Sequence, residues 1–414
     1  MRFPSGGHRA LGDARSKVNQ LLPSEERLLL LTAGGPKNDD AIRSLVEGGI
    51  DWTRVMWLAE LELATPIVWR RIKSVAGNSV PASVQTAFAR NAQIADIRML
   101  SREQRLVDAL HALSKAGIPV LLLKGAALAS TAYSSALERP MADIDLLVPP
   151  NRAVAARAAL LESGWQWESD VHADQPYDVH HHLPPLRDAR GDTNVEIHTA
   201  LFFRGHPFRF DDSALWAGAH SVSIGGEKAL VPSAVHQLWH IGLHFAWSHE
   251  VRFGSWRAFR DTHALIMRYP DALDALVPLA RGTRGASVCY WTLRLAQRAA
   301  GIDVPASVLS ALRPPRREIS LGRLERHFLL NLLPAEYGSP SARVDQLLWD
   351  LAMCPSSEDH GAVRPWDHSD DFIQARTADG TQPAPPSFAT RVANLGTWTR
   401  YLRSVVDAAR APVG

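Results

Sequence analysis

"LLLKGAALASTAYSSALERPMADIDLLVPP", residues 121–150, is the stretch on which the reading of the whole chain turns. A short apolar run closes on Lys124-Gly125, an alanine-rich segment comes next, and a second apolar strand carries two aspartates before ending at two prolines. In an extended strand, residues i and i+2 share a face about 6.5–7 Å apart. Asp143 and Asp145 therefore project side by side while Ile144 and Leu146 turn to the core. Adjacent carboxylates repel, and a hard divalent cation shared between them relieves the repulsion; Mg²⁺ prefers a few carboxylates plus the oxygens of a substrate phosphate.

A third acid stands in "TNVEIHTAL" (193–201), where Val195 and Ile197 alternate with Glu196 and His198. If this strand lies beside the first, Asp143, Asp145 and Glu196 line one patch, a ligand set suited to two-metal phosphoryl or nucleotidyl transfer. Lys124 and Gly125 fit the other half of such a site. A glycine after a buried strand lets the backbone approach a phosphate, and the amides of the next helix point their positive end at it. Arg139 could add charge there, or simply neutralise the aspartates, and hydroxyls between Ser130 and Ser135 could reach phosphate or metal.

Outward from this stretch the pattern is helical on both sides. From Pro23 to Gly117 three segments carry three-and-four apolar spacing, with Ser24 and Asp51 as expected N-caps, Pro81 as a first-turn proline and Gly117 as a stop. Within the last segment Leu106, Ala109, Leu110 and Leu113 form one stripe. The order over 118–231 is strand, helix, strand, helix capped by Asn151 and ended by Gly164, strand, then a hairpin around Gly225-Gly226. Helices resume at 232. A polar, Pro/Asp/Gly-rich exposed loop spans 355–386, anchored near Trp366 or Phe372, and a last amphipathic helix runs over 387–409. The expected architecture is α+β: a small mixed-sheet core at 118–231 between helical regions at 1–117 and 232–414.

Composition narrows the classes. With 45 basic and 43 acidic residues in a chain of 414, net charge +2, no polyanion partner is announced. No apolar run approaches the roughly 20 residues of a membrane-spanning helix. Two distant cysteines, Cys289 and Cys354, and the lack of a secretory n-region and h-region at the start lead to the expectation of a cytoplasmic protein without disulfides. Among the 13 tryptophans, Trp52, Trp57, Trp69, Trp239, Trp247 and Trp256 stand at helical spacing, which suits packing better than an aromatic platform. No Ser-His-Asp order, Walker motif, Rossmann glycine set or paired C-x-x-C occurs.

Histidines invite a metal reading. His236, His240 and His244 recur every four residues on one helix face and could serve as a zinc pair awaiting a third ligand, a polar stripe beside the core, or a substrate contact. His180, His181 and His182 read as a lip of the cleft. His198 shares the face of Glu196 and could orient it, or the acceptor, or be a hydrogen-bonded core residue.

The motif resembles the DNA polymerase beta-like nucleotidyltransferase superfamily, with a strand, a small-residue turn, a helix, Asp-x-Asp and a further acid. More narrowly, "LLLKGAAL", "ERPMADIDLLV" and "VEIH" resemble a bacterial family known only as uncharacterised nucleotidyltransferases, as do the flanks "DWTRVMWLAELELATPIVW", "HQLWHIGLHFAW" and "FRDTHALI". The likeness covers 118–200 well and 20–270 weakly. Gly125-Ala126 stands where the superfamily usually has Gly-Ser or Gly-Gly, so a hydroxyl is missing there, and the spacing to Asp143 is longer than the superfamily's.

The resemblance implies transfer of a nucleoside monophosphate, most simply AMP from ATP, to a hydroxyl or phosphate acceptor, with Mg²⁺ or Mn²⁺ as cofactor and an NTP as substrate. Asp143, Asp145 and Glu196 would be catalytic metal ligands, Lys124, Gly125 and Arg139 nucleotide contacts, and Asp261 either a partner for a core cation or a base for the acceptor. Members often accompany gene clusters for ribosomal peptide natural products, lasso peptides among them, so a peptide is one candidate acceptor beside a small molecule, a protein or an RNA end. Two rivals stand beside this reading: a non-catalytic nucleotide- or peptide-binding accessory protein, and a kinase-like phosphotransferase using the same metal site.

Overall fold

Helix caps and prolines divide the N-terminal region differently from the periodicity. The computed structural model describes residues 21–168, 180–203, 206–333 and 342–353. The loop expected at 355–386 with its anchor, the helix expected at 387–409, and Cys354 lie outside the described residues. Helices run over Ser24–Ala33, Asp39–Glu47, Trp52–Leu61, Thr65–Ala76 and Ala82–Lys115. Asp51 caps as expected, its side chain accepting from the amides of Thr53 and Arg54 at 2.9 and 3.2 Å. Ser24 does not cap: Pro23 holds the N-cap position, and Ser24 is already the first helical residue. The run from Trp52 onward is two helices, not one. Leu63 turns left-handed at φ 55° and Pro66, lacking an N–H, sits in the first turn of the new helix.

The 34-residue helix Ala82–Lys115 buries Leu106, Ala109, Leu110 and Leu113 on one stripe, and Gly117 ends it at φ 64°. It packs against both β7 (Glu227–Val231) and the helix Ala153–Glu162. That helix is preceded by a 3₁₀ turn over Pro150–Arg152, so Asn151 lies inside the turn and caps nothing.

One mixed seven-stranded sheet has the order β3-β4-β5-β2-β1-β7-β6. Its strands are β1 Leu121–Leu122, β2 Asp143–Leu147, β3 Gln166–Trp167, β4 Leu186–Arg187, β5 Asn194–His198, β6 His220–Ile224 and β7. β2 runs parallel to β5 and antiparallel to β1, and β1 runs parallel to β7. The hairpin β6–β7 turns at Gly225-Gly226, both left-handed. β3 and β4 extend one edge beyond the expected strands; at two residues each they are too short to show alternation. Fifteen α-helices among the described residues flank this sheet, so the fold is mixed α/β with a helical region on either side of the core.

Two apolar clusters hold these layers together. One lies between sheet and helices and contains Ile144, Leu146, Val195, Ile197, Leu106, Leu110 and Leu160. The other unites the N-terminal helices with the later ones, from Leu28–Leu30 to Trp239, Trp247, Trp256 and Trp291, all wholly or almost wholly buried. Most of the tryptophans singled out are therefore packing residues. Trp57 is the outlier, 44% exposed with the Arg54 guanidinium 4.7 Å from its ring centre. Among the described residues no helix is long and apolar enough to cross a membrane. Cys289 is free and buried.

Candidate active site

The parallel register of β2 and β5 sets Asp143 opposite Asn194 and Asp145 opposite Glu196. Because side chains alternate across a strand, Asp143, Asp145, Glu196 and His198 share one face. Ile144, Leu146, Val195 and Ile197 fill the other, each 1% exposed or less. Asp145 and His198 are themselves only 2% and 1% exposed.

A buried charge must be paired and hydrogen-bonded, and Asp145 is both. Lys124 Nζ donates to Asp145 Oδ1 at 2.7 Å, and His198 Nε2 lies 2.9 Å from the same oxygen and 3.3 Å from Glu196 Oε2. Burial would raise the Asp145 carboxyl, but Lys124 and His198 outweigh it and hold it well below the usual range. Glu196 is lowered, the hydrogen bond from His198 overcoming its burial. His198 is raised, its bonds to Asp145 and Glu196 outweighing desolvation. Asp143 differs: burial, then the neighbouring Asp145 charge, push it up to about 6.

The tightest group able to hold a metal ion is Asp145, Glu196 and His198, with one donor atom from each, all within 4.8 Å of one another. Asp143 stands outside that tight group and lines the cavity in front of it. The side chain of Lys124, expected on the nucleotide, rests on Asp145. The rings of His181 and His182 pack at 5.3 and 5.4 Å from His198, whose Nδ1 has no hydrogen-bond partner among the described residues. These lip histidines thus press on the acid cluster itself. Burial drops His181 to about 2, so it is a neutral ring.

A cavity of about 330 Å³ opens over this face, lined by Lys124, Gly125, Asp143 and Glu196 on the sheet side. Lys124 begins the helix Lys124–Thr131 with φ 46°, an uncommon left-handed position for a side chain of its size. A Cβ on Gly125 would stand 3.0 Å from Met141 Cβ, so a larger residue there would have to push Met141 aside. Ala126 is 2% exposed and belongs to the apolar cluster rather than the cavity. Ser130 turns its hydroxyl to the Ala127 carbonyl at 2.8 Å and Ser135 accepts from the Leu137 amide, so both bond locally, whereas the Thr131 hydroxyl lies 2.9 Å from the Ala127 carbonyl and 3.0 Å from Gln237 Oε1 on the facing helix.

Arg139 serves a different partner from the one expected. Its Nε donates to Asp261 Oδ1 at 2.6 Å, Nη1 bonds the Pro140 carbonyl, and Tyr133 donates to the same Asp261 oxygen at 2.7 Å. Asp261 belongs to the helix Ser255–Arg268, so this bond ties the C-terminal helices to the entry of β2. Of its two expected roles, the structure shows Asp261 as partner to a core cation.

The facing wall comes from the helix Ala234–Leu243 and the π-helical turn His244–Ser248 that continues it. His236, His240, His244, His249 and Arg257 line the cavity there. Desolvation drives His240 down to about 3, His249 to about 4 and His244 well below its ordinary value, so this wall's buried histidines are uncharged at neutral pH. Among the described residues the stripe forms no metal-binding group of three, against the zinc reading. His249, in the turn after the π-helix, and Arg257 escape the sequence reading. Arg257 had a usable signal: it lies four residues before Asp261, on the same helix face.

A protein-family model described as "uncharacterised nucleotidyltransferase" matches residues 48–301. No curated protein and no solved structure matches the chain. The family match takes in the sheet, the acid face and both walls of the cavity, and it spans well over half of the 414 residues. The chain belongs to the uncharacterised nucleotidyltransferase family.

Proposed function

We propose that this protein moves a nucleoside monophosphate, most simply AMP from ATP, onto a hydroxyl or phosphate acceptor with release of pyrophosphate. One observation carries the reading: β2 and β5 lie in a register that sets Asp145 beside Glu196, with Asp143 on the same face, and Asp143 and Glu196 line the cavity above them. The carboxylates of Asp143, Asp145 and Glu196 suit a hard cation, Mg²⁺ or Mn²⁺. Asp143, pushed up to about 6 by burial and by its neighbour Asp145, is an acid whose charge Lys124 and Arg257 offset only in part. When bound, such ions would polarise the reacting phosphate and offset charge on the departing pyrophosphate.

The chain's own groups have separable tasks in this reading. Lys124 and His198 keep Asp145 ionised at neutral pH, so it is ready to accept a cation without first losing a proton. His198 also positions Glu196. Gly125 and the first amides of its helix let a phosphate approach the backbone. Arg139, locked to Asp261, fixes the strand entry just before Asp143. With one oxygen already accepting from Arg139 and Tyr133, Asp261 is better placed to hold the cleft together than to take a proton from the acceptor.

The ion pair between Lys124 and Asp145 favours a second reading, a non-catalytic nucleotide- or peptide-binding accessory protein in which the ammonium stands where a cation's charge would be needed. Incubation with each of four α-labelled NTPs, Mg²⁺ or Mn²⁺, and peptide, small-molecule, protein and RNA acceptors separates them. Label transfer with pyrophosphate release, lost in Asp143→Asn, supports nucleotidyl transfer. Transfer that survives the substitution overturns the mechanism. Stoichiometric binding without pyrophosphate favours the accessory role, and ADP as product points to a phosphotransferase.

A further inference from the structure

We infer that Arg257 is the polyphosphate contact of the cavity, gripping the terminal phosphates of the nucleotide, or free pyrophosphate, from the helical wall. The inference rests on the nucleotide reading above and deepens it by assigning the group that recognises the tail. It comes from the pairing of the cavity's cations. Lys124, Arg139 and Arg257 line the space. Lys124 is ion-paired to Asp145 and Arg139 to Asp261. The Arg257 guanidinium makes no hydrogen bond or ion pair with any described residue, although it is half-buried and faces the cavity.

An unpaired charge in a partly desolvated wall is costly unless an anion meets it. Burial lowers the Arg257 guanidinium, and the charges felt there include Glu62 and Asp143. Glu62 is already committed: 2% exposed, it accepts the Trp256 amide at 3.1 Å and so occupies the start of the helix Ser255–Arg268. Glu62 offsets part of the guanidinium's charge through space, while the guanidinium's N–H donors meet no acceptor among the described residues and are left to face the cavity. Gly254, left-handed at φ 72°, leaves room beside it, since a Cβ there would stand 3.2 Å from Arg257 Nη2. A planar fork with several donors matches phosphate oxygens in pairs, which an ammonium does not.

The uncharged histidines of the same wall cannot supply this attraction at neutral pH. An acceptor's own phosphate would offer the same oxygens, so the test is made without acceptor. Calorimetric titrations of the full chain with Mg²⁺ and pyrophosphate, ATP or AMP compare wild type, Arg257→Gln and Arg257→Lys. Arg257→Gln is expected to weaken pyrophosphate and ATP by about ten- to hundred-fold, the span of one or two lost charge-assisted bonds. AMP affinity stays within about two-fold on the same grounds, and Arg257→Lys falls between. If the glutamine variant does not fold, the lysine variant reads the same contrast. Equal weakening of all three ligands, unchanged pyrophosphate binding, or a wild type that does not bind pyrophosphate overturns the inference. Pyrophosphate binding that depends on Arg257, in a protein that transfers no label, sustains it while the transfer reading fails.

Discussion

On the strand side of the cavity Asp145 and His198 are 2% and 1% exposed, one held well below and the other raised above its ordinary pKa. On the helix side His240, 9% exposed, is pushed down to about 3. Both walls hold buried ionisable groups, yet one concentrates charge and the other sheds it. The difference lies in partners: His198 has two carboxylates within bonding distance, whereas the positive charge of Lys124 adds to the desolvation of His240. Burial sets the size of the penalty, and geometry decides whether anything offsets it.

The strongest way to break this comparison is Asp145→Ala. It would leave Lys124 and His198 without their shared acceptor, a loss of about 3–5 kcal/mol by analogy with other broken buried pairs, read as a lowered urea midpoint and weaker Mn²⁺ binding. Asp143→Asn should go the other way. A carboxyl raised from 3.8 to about 6 contributes instability that appears as pH rises through that window, so at pH 8 without metal the variant should match or exceed wild-type stability. A clear loss in its denaturation curve would show that Asp143 is paired after all.

Next in size is Asp261→Ala, which strands Arg139 in a buried place. A loss of roughly 2–4 kcal/mol, measured by denaturant unfolding, is expected from the same reasoning. Arg139→Met, which removes the stranded charge, should be milder than Asp261→Ala.

His240→Gln sharpens the contrast through pH. A histidine lowered from 6.5 to about 3 stays neutral in the fold but charges in the unfolded chain, so wild-type stability is intact above about pH 6.5 and declines as pH falls toward 3. The substitution removes one such proton, and the slope of unfolding free energy between those values should flatten by about 1.4 kcal/mol per pH unit. An unchanged slope would mean that His240 is already charged in the fold. The smallest effect belongs to Ala126→Ser. Position 126 packs in the apolar cluster and not on the cavity, so restoring a hydroxyl there should not raise turnover and should cost about 1 kcal/mol for burying it.

Local periodicity is legible in the sequence, and with it the parts of the fold it governs. Alternation in "DIDLLV" and "NVEIH" puts the acids on one face and their neighbours in the core, and the stripe through Leu106 and Leu113 is buried as its spacing requires. Pairings between segments distant in the chain stay hidden. That His198 joins Asp145 and Glu196 in the tightest cluster depends on the parallel register of β2 and β5, which brings His198 to Asp145, 53 residues earlier in the chain. Arg139 reads as a charge near the aspartates, but only the docking of the helix Ser255–Arg268 shows that Asp261 claims it. Two-residue strands and the left-handed break at Leu63 leave no periodic trace.

The grip of Asp261 on Arg139 has a mechanical corollary. Arg139 lies four positions before Asp143, and Pro140 stiffens the run between them, so the helical half holds the acid-bearing strand by a short, rigid lever. Any molecule that wedged the helix Ser255–Arg268 outward would tug on the strand's leading end, and the first carboxylate to shift would be the one no cation yet restrains.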